Sequence, residues 1–302
     1  MDIEREDALA GEGPTPMNDG GPALDFSRTE YLLNPKQFEN VRVTMVGLGS
    51  GGAPVCDHLT MNGIRRWDLY DPDTLESVNL VKHPRLRRDV GRQKVDVQKE
   101  WILDRNPSAE VRSYASDVMQ VPEFVESMKE SDLVLSCPDR KSVREYVSDK
   151  CVEIGVPFVT ASVFRTGIGG EVYAYIPGET GCYRCLQLFA LKSGIDLSDD
   201  ALGLTEEERE RIYGLGEREF RASGLSIDIQ MIAMIQARMA LSVLCRNLKT
   251  AVPRLRANWV IFANRPARKI FRSHFEAKQM RLKPQKECCC GGQGMPGETS
   301  SV

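Results

Sequence analysis

Histidine is scarce in this chain. His58, His83 and His274 are the three in 302 residues, and none sits in a pattern that would make it the base of a nucleophilic triad. Charge of one sign is also lacking: 40 basic side chains against 43 acidic ones leave a formal charge of −3. No global field therefore draws the chain to nucleic acid or to an anionic membrane, and any positive site must be local. No apolar run is expected to span a bilayer. The opening MDIEREDALAGEGPTPMNDGG lacks the charged start and apolar middle of a signal peptide. No internal repeat is apparent. The expectation is a cytoplasmic chain with neither nucleic acid nor a membrane as partner.

What is present begins with nine cysteines, five of them in two clusters, Cys182/Cys185 and Cys288/Cys289/Cys290. In a reducing compartment such clusters point to metal binding or thiol chemistry rather than a disulfide framework. Isolated Cys56, Cys137, Cys151 and Cys245 read as small core residues.

Residues 1–25, rich in Gly, Pro, Asp and Glu, predict a disordered lead. Periodicity starts at Val41: RVTMV is a short apolar strand, GLGSGG a glycine-rich turn, APVCDHLTMNGI a helix and RRWDLYDPD a second strand. A basic stretch leads to a helix from Lys94 to about Leu103, then VRSYASD is a strand, PEFVESMKES a helix and DLVLSC a buried strand. A helix (RKSVREYVSDKCVEIG) and the strands VPFVTASVF and GGEVYAYIP follow. The alternation predicts an α/β fold, Rossmann-like and doubly wound, whose mainly parallel sheet is followed by a crossover segment and C-terminal strands. Residues 192–222, highly charged, are the crossover segment. SIDIQMIAMIQARMALSVLCRNL, apolar nearly all round, is a buried helix or a subunit interface. NWVIFAN and RKIFRSH are candidates for a terminal hairpin, and residues 291–302 for a flexible tail.

Gly47, Gly49 and Gly52 form G-x-G-x-x-G between a strand and a helix, the pattern that brings backbone N–H groups and a helix N-terminus to a phosphate. A tight turn alone would use the same glycines. Asp71 ends the second strand about 20 residues on, where a carboxylate accepts from ribose hydroxyls. To this point an NAD-dependent oxidoreductase fits as well as an ATP-dependent enzyme. Lys82, Arg85, Arg87, Arg88, Arg92 and Lys94 then crowd into thirteen positions. Cleavage of a triphosphate between its α- and β-phosphates needs such cations, and hydride transfer does not. A solvated basic surface competes for most of these arginines. Asp139 follows the strand DLVLSC; in a parallel sheet it shares one rim with the glycine turn and Asp71, where it can hold Mg²⁺ or cap the next helix.

GLGSGG, DPDTLESVNL, KHPRLRRDVGRQK and DLVLSCPD, in this order, resemble the ThiF/MoeB/HesA family of activating enzymes for ubiquitin-like proteins, from about Arg28 to Cys290. The resemblance implies an adenylation domain over residues 26–290. It implies ATP as cofactor, Asp71 on the ribose, Asn79 and Lys94 on phosphates, and Asp139 on Mg²⁺. Asp73 and Lys82, the latter where the family commonly has arginine, join the nucleotide-binding set. Arg28 stands nearest to an arginine that reaches a partner subunit's ATP, and His83 falls in the phosphate loop. The implied catalytic residues are Lys94, Asp139 and Arg28. Cys182 and Cys185 have C-x-x-C spacing for Zn²⁺, and Cys288 with Cys290 supplies the second pair if the chain kinks. The implied reaction is adenylation of the C-terminal glycine carboxylate of a ubiquitin-like protein, with a conjugating enzyme of a bacterial system as a further partner and a homodimer as the assembly. A sulfur-carrier adenylyltransferase for thiamine or molybdopterin is the alternative. No cysteine occurs in residues 186–244, which favours adenylation over a thioester on the crossing segment.

Overall fold

The computed structural model describes residues 24–193, 224–254, 256–267 and 271–291. The expected lead, crossover segment and tail therefore lie, apart from their margins, outside the described residues.

Short β-branched and apolar runs become strands because both faces of the sheet are covered. The strands are β1 (Arg42–Val46), β2 (Arg66–Tyr70), β3 (Glu110–Tyr114), β4 (Leu133–Ser136), β5 (Phe158–Val163), β6 (Gly169–Tyr175), β7 (Trp259–Ala263) and β8 (Ala277–Met280). They form one sheet in the order β3-β2-β1-β4-β5-β6-β7-β8. β1 to β5 pair in parallel and β6 to β8 antiparallel. Helices α1 (Gly52–Met61), α2 (Lys94–Arg105), α3 (Phe124–Lys129), α4 (Lys141–Ile154), α5 (Tyr183–Lys192) and α6 (Ser226–Leu244) cover it. Alternation sorts the core. Val43, Met45, Trp67, Leu69, Leu133 and Leu135 face a cluster with α1 and α6, while Val46, Tyr70 and Val134 face α3 and α4 on the other side.

Two expectations are corrected. The strand that pairs with β7 is AKQM at 277–280; of RKIFRSH the described residues are 271–274, where Phe271 makes an isolated bridge to Ala267. By length and composition, Ser226–Asn247 is apolar enough to cross a membrane, with a mean hydropathy of 1.4. Its apolarity has a local cause: α6 packs against α1, β5 and β6, burying Ile232, Ala233, Met239 and Val243.

Because β1 lies between β2 and β4, the chain leaves β1 in one direction and returns on the other side at β4. This is the switch point of a doubly wound sheet, and the loops after β1 and β4 splay apart there to leave a crevice.

Candidate active site

The loop after β1 is shaped by close approach. Gly47 has φ +88°, and a Cβ there would lie 2.9 Å from the Cys137 carbonyl carbon, in the loop after β4. A Cβ on Gly52 would sit 1.9 Å from the Gly47 carbonyl oxygen, so a side chain at either place would push the turn off the sheet. At Gly49 a Cβ would meet nothing within 4 Å; the space in front of it is open. Between these glycines Leu48 is held through both its backbone N–H and its carbonyl. Asp71 Oδ2 accepts from Leu48 N–H at 2.6 Å, and His83 Nε2 lies 2.8 Å from the Leu48 carbonyl oxygen. Burial pushes the His83 pKa down to about 4, so the ring is neutral and donates its Nε2 hydrogen.

The crevice opens into a cavity of about 330 Å³ lined by Gly47, Gly49, Asp71, Asp73, Lys94 and Asp139. Lys94 is the first residue of α2, a place where the helix dipole disfavours a cation. Asp73 at 2.6 Å and Asp71 at 3.9 Å compensate. Burial pushes the Asp71 carboxyl above its ordinary value, opposed by Lys94 and by the N–H groups of Leu48 and Asp73. Asp139 is exposed in the loop after β4, and no side-chain cap bond is made at the start of α4, where Arg140 holds the cap position. The helix-cap role weighed for Asp139 is therefore not used.

Sequence reasoning missed Asp117 and Arg140, which also line the cavity and pair with each other. Asp117 additionally accepts from Met119 N–H at 3.0 Å. The signal available was its place just past the C-terminal end of β3, the edge that also carries Asp71. With these residues the wall holds four carboxylates against two cations. A triphosphate facing such a wall needs more positive charge than the described lining residues supply. The carboxylate oxygens suit Mg²⁺; Asp73 and Asp139 are both exposed, and Asp73 pairs with Lys94 while Asp139 makes no cap bond.

The other expected residues lie elsewhere. Arg85 is buried and makes paired bonds to Asp57 at 2.9 and 2.6 Å and one to Gln98 at 2.5 Å, with its guanidinium 5.0 Å from the Trp101 ring. It joins α1 to α2 and is a core ion pair rather than a phosphate cation. Arg92 pairs with Glu100 and Asp89, and Arg87 and Arg88 are exposed. Asn79 Oδ1 accepts from Glu76 N–H at 2.9 Å within a 3-10 turn. Asn79, half-buried Lys82 and exposed Arg28 are not among the residues lining the cavity, and Gly52 stands behind it.

The cysteines converge. Cys182 Sγ lies 3.3 Å from Cys288 Sγ and Cys185 Sγ 3.3 Å from Cys290 Sγ, and all four sulfurs fall within 4.8 Å of one another. The kink that C-x-C spacing demands is a 3-10 turn over Cys289–Gly291, which leaves Cys289 exposed. Backbone N–H groups of Gln285 and Cys182 point at Cys185 Sγ and Cys290 Sγ, 3.2 and 3.4 Å away. The hydrogen bond from Cys182 draws the Cys185 thiol below its ordinary value. Four sulfurs at this spacing, with amide donors aimed at them, fit a tetrahedral Zn²⁺ with bonds of about 2.3 Å.

Comparison with known proteins bears on this geometry. The sequence pattern of the ThiF family matches residues 29–288. Ubiquitin-like modifier-activating enzyme 5 of Oryza sativa subsp. japonica is 30% identical over 185 residues, covering 57% of this chain and 44% of that protein. Adenylyltransferase and sulfurtransferase UBA4 of Kluyveromyces lactis is 31% identical over 169 residues, covering 55% of this chain and 37% of that protein. The chain thus spans less than half the length of these two relatives. Among solved structures, E. coli MccB with ATP superposes with a TM-score of 0.62 at 20% identity, over 85% of this chain and 69% of that one. E. coli MccB alone gives 0.64 at 20% identity, over 89% and 70%. At that identity the likeness speaks for the fold.

Proposed function

Because the chain belongs to the ThiF family, we propose that it is an adenylating enzyme, activating the C-terminal carboxylate of a small ubiquitin-like protein with ATP. One observation carries this reading: the glycine turn, Asp71, Lys94 and Asp139 line a single cavity at the switch point of the sheet.

In the proposed reaction a carboxylate oxygen of the partner's last residue, a glycine, bonds to the α-phosphorus. The bond from that phosphorus to the α,β-bridging oxygen breaks, and pyrophosphate departs with the bonding electrons. A carboxylate is already deprotonated, so the site needs no general base, and catalysis rests on placement and charge. Gly47 and Gly49 let backbone N–H groups approach phosphate, and Asp71, which lines the cavity, is fixed there by Leu48 N–H on Oδ2 and Asp73 N–H on Oδ1. Lys94, released from Asp73, offers charge to the phosphates. A magnesium ion held at Asp139 would offset the remaining charge. The four cysteines would hold a structural zinc that ties the segment after β8 to the start of α5.

ATP–pyrophosphate exchange in the presence of the partner tests the reading. Lys94→Ala and Asp139→Ala should each lower exchange about 10²- to 10³-fold, as removal of one charge-stabilising group does elsewhere, with unchanged thermal melts. Unchanged exchange refutes both roles. Co-purification of the partner and inspection of its last residue separates a glycine-ended protein from another acid. Family membership favours this over hydride transfer, and the sulfurtransferase relative keeps a sulfur carrier within the partner class. A conjugating enzyme downstream, a homodimer and a cytoplasmic location complete the proposal.

A further inference from the structure

A second cavity, of about 450 Å³, opens at the other edge of the sheet. β6 runs antiparallel to β5, so its last residue Tyr175 pairs with Phe158, the first residue of β5. Ile176 and Ala174, which line the second cavity, therefore sit at the edge where the parallel strands begin, and the cavity with Asp71 sits where they end. A strand of five residues separates the two by roughly 17 Å.

Its electrostatics are the reverse of the first. Arg246, Arg254, Arg256 and Arg281 face it, with Glu179 as the one acidic residue. The Arg281–Glu179 pair is loose, at 3.9 Å, with both side chains about half-exposed. Arg246 gives one Nη1 hydrogen to the Val243 carbonyl at 3.0 Å, so the carbonyl end of α6 offsets part of its charge. Arg254 and Arg256 are exposed and have no carboxylate partner among the described residues. The floor is apolar, from Met239, Val243 and Ile176. Asn258 and Thr180 are occupied in holding backbone: Asn258 bonds Ala174 and Leu282, and Thr180 bonds Ile176. They build the pocket wall and leave ligand binding to the arginines.

Four guanidinium groups around one concave space repel one another unless an anion joins them, and their planar forks match phosphate oxygens. The volume is that of a small-ligand site. We propose that this rear cavity binds a phosphate-bearing small molecule carrying two or more negative charges, without a metal and independently of the adenylation site. The phosphates of free pyrophosphate and of a nucleotide share this chemistry.

Calorimetric titration of the full chain in magnesium-free, low-salt buffer tests it, with pyrophosphate and AMP as probes. The Lys94→Ala background removes the main cation of the first cavity. There, pyrophosphate should still bind at one site, and the paired change Arg254→Gln/Arg256→Gln should weaken it at least tenfold. Arg281→Gln should weaken it less. These arginines are exposed, so thermal melts should not move, and a melt that does move shifts the decision to Arg281→Gln. Binding of AMP as well as pyrophosphate assigns a nucleotide, and binding of pyrophosphate alone assigns the inorganic ion. Absence of binding for both probes overturns the proposal. So does affinity unaffected by the arginine changes, or loss of all binding in Lys94→Ala alone. Failure of ATP–pyrophosphate exchange, by contrast, would leave this result untouched.

Discussion

The two ends of the parallel strands are lined by opposite charge, and the proposals for the two cavities assign them two kinds of anion chemistry. At the edge where parallel strands end, Asp71, Asp73, Asp117 and Asp139 face Lys94 and Arg140. At the edge where they begin, four arginines face Glu179. An acid-rich wall holds a triphosphate only when extra cations arrive with it, which makes affinity conditional on a metal. An arginine-rich wall holds a phosphate outright but supplies no carboxylate for a metal. The net charge of −3 conceals both.

Withholding magnesium is the strongest way to break this contrast. Exchange at the first cavity should fall by more than about 10²-fold, on the scale of losing a principal charge-stabilising group, while pyrophosphate binding at the second should persist. Equal loss at both edges in a filter-binding assay would erase the distinction. Next in size is metal removal at the cysteines. Cys185→Ala, or a strong chelator, should lower the melting temperature more than any other change named here, because the clamp on the segment after β8 is lost. A scanning-calorimetry trace unchanged by chelation would mean that the sulfurs hold no structural metal.

Arg85→Ala comes third. It leaves the Asp57 carboxylate buried without its cation and should cost about 3–5 kcal/mol in urea unfolding. A cost below about 1 kcal/mol, the range of an exposed pair, would return Arg85 to the phosphate set. The smallest effect is that of His83. The folded ring takes a proton only near pH 4 and the unfolded ring near 6.5, so the unfolded state binds more protons between them. Stability is then level in this group above pH 6.5 and falls as pH drops toward 4, by at most about 3 kcal/mol. His83→Gln should flatten that part of the slope; parallel pH profiles for the two proteins would show that the ring does not titrate this way.

Much of the first cavity was legible because its parts are local. Gly47, Gly49, Asp71, Lys94 and Asp139 each fall at the boundary of a strand or helix that periodicity announces, and parallel pairing brings those boundaries to one edge. Charge type, however, did not reveal burial. Arg85 and Lys94 stand nine positions apart in one basic run, yet Arg85 finds Asp57 and Gln98 in the core while Lys94 turns to Asp71 and Asp73. The last hairpin strand was misplaced because RKIFRSH is more apolar than AKQM, whose residues in β8 are mostly exposed at the sheet's edge and need little apolar character.

Local pattern by itself determined the strand and helix order through β6, the glycine turn, and the two cysteine clusters with the spacing of a metal site, since each depends on residues close in the chain. Tertiary structure alone decided that Cys182 and Cys185 meet Cys288 and Cys290, that Asp71 and His83 hold the N–H and the carbonyl of Leu48, and that Arg246, Arg254, Arg256 and Arg281 line one cavity. Each of these brings in at least one segment distant in sequence, Arg281 in the case of the arginines, and the distances are set by how the sheet and α6 pack, which no periodicity encodes.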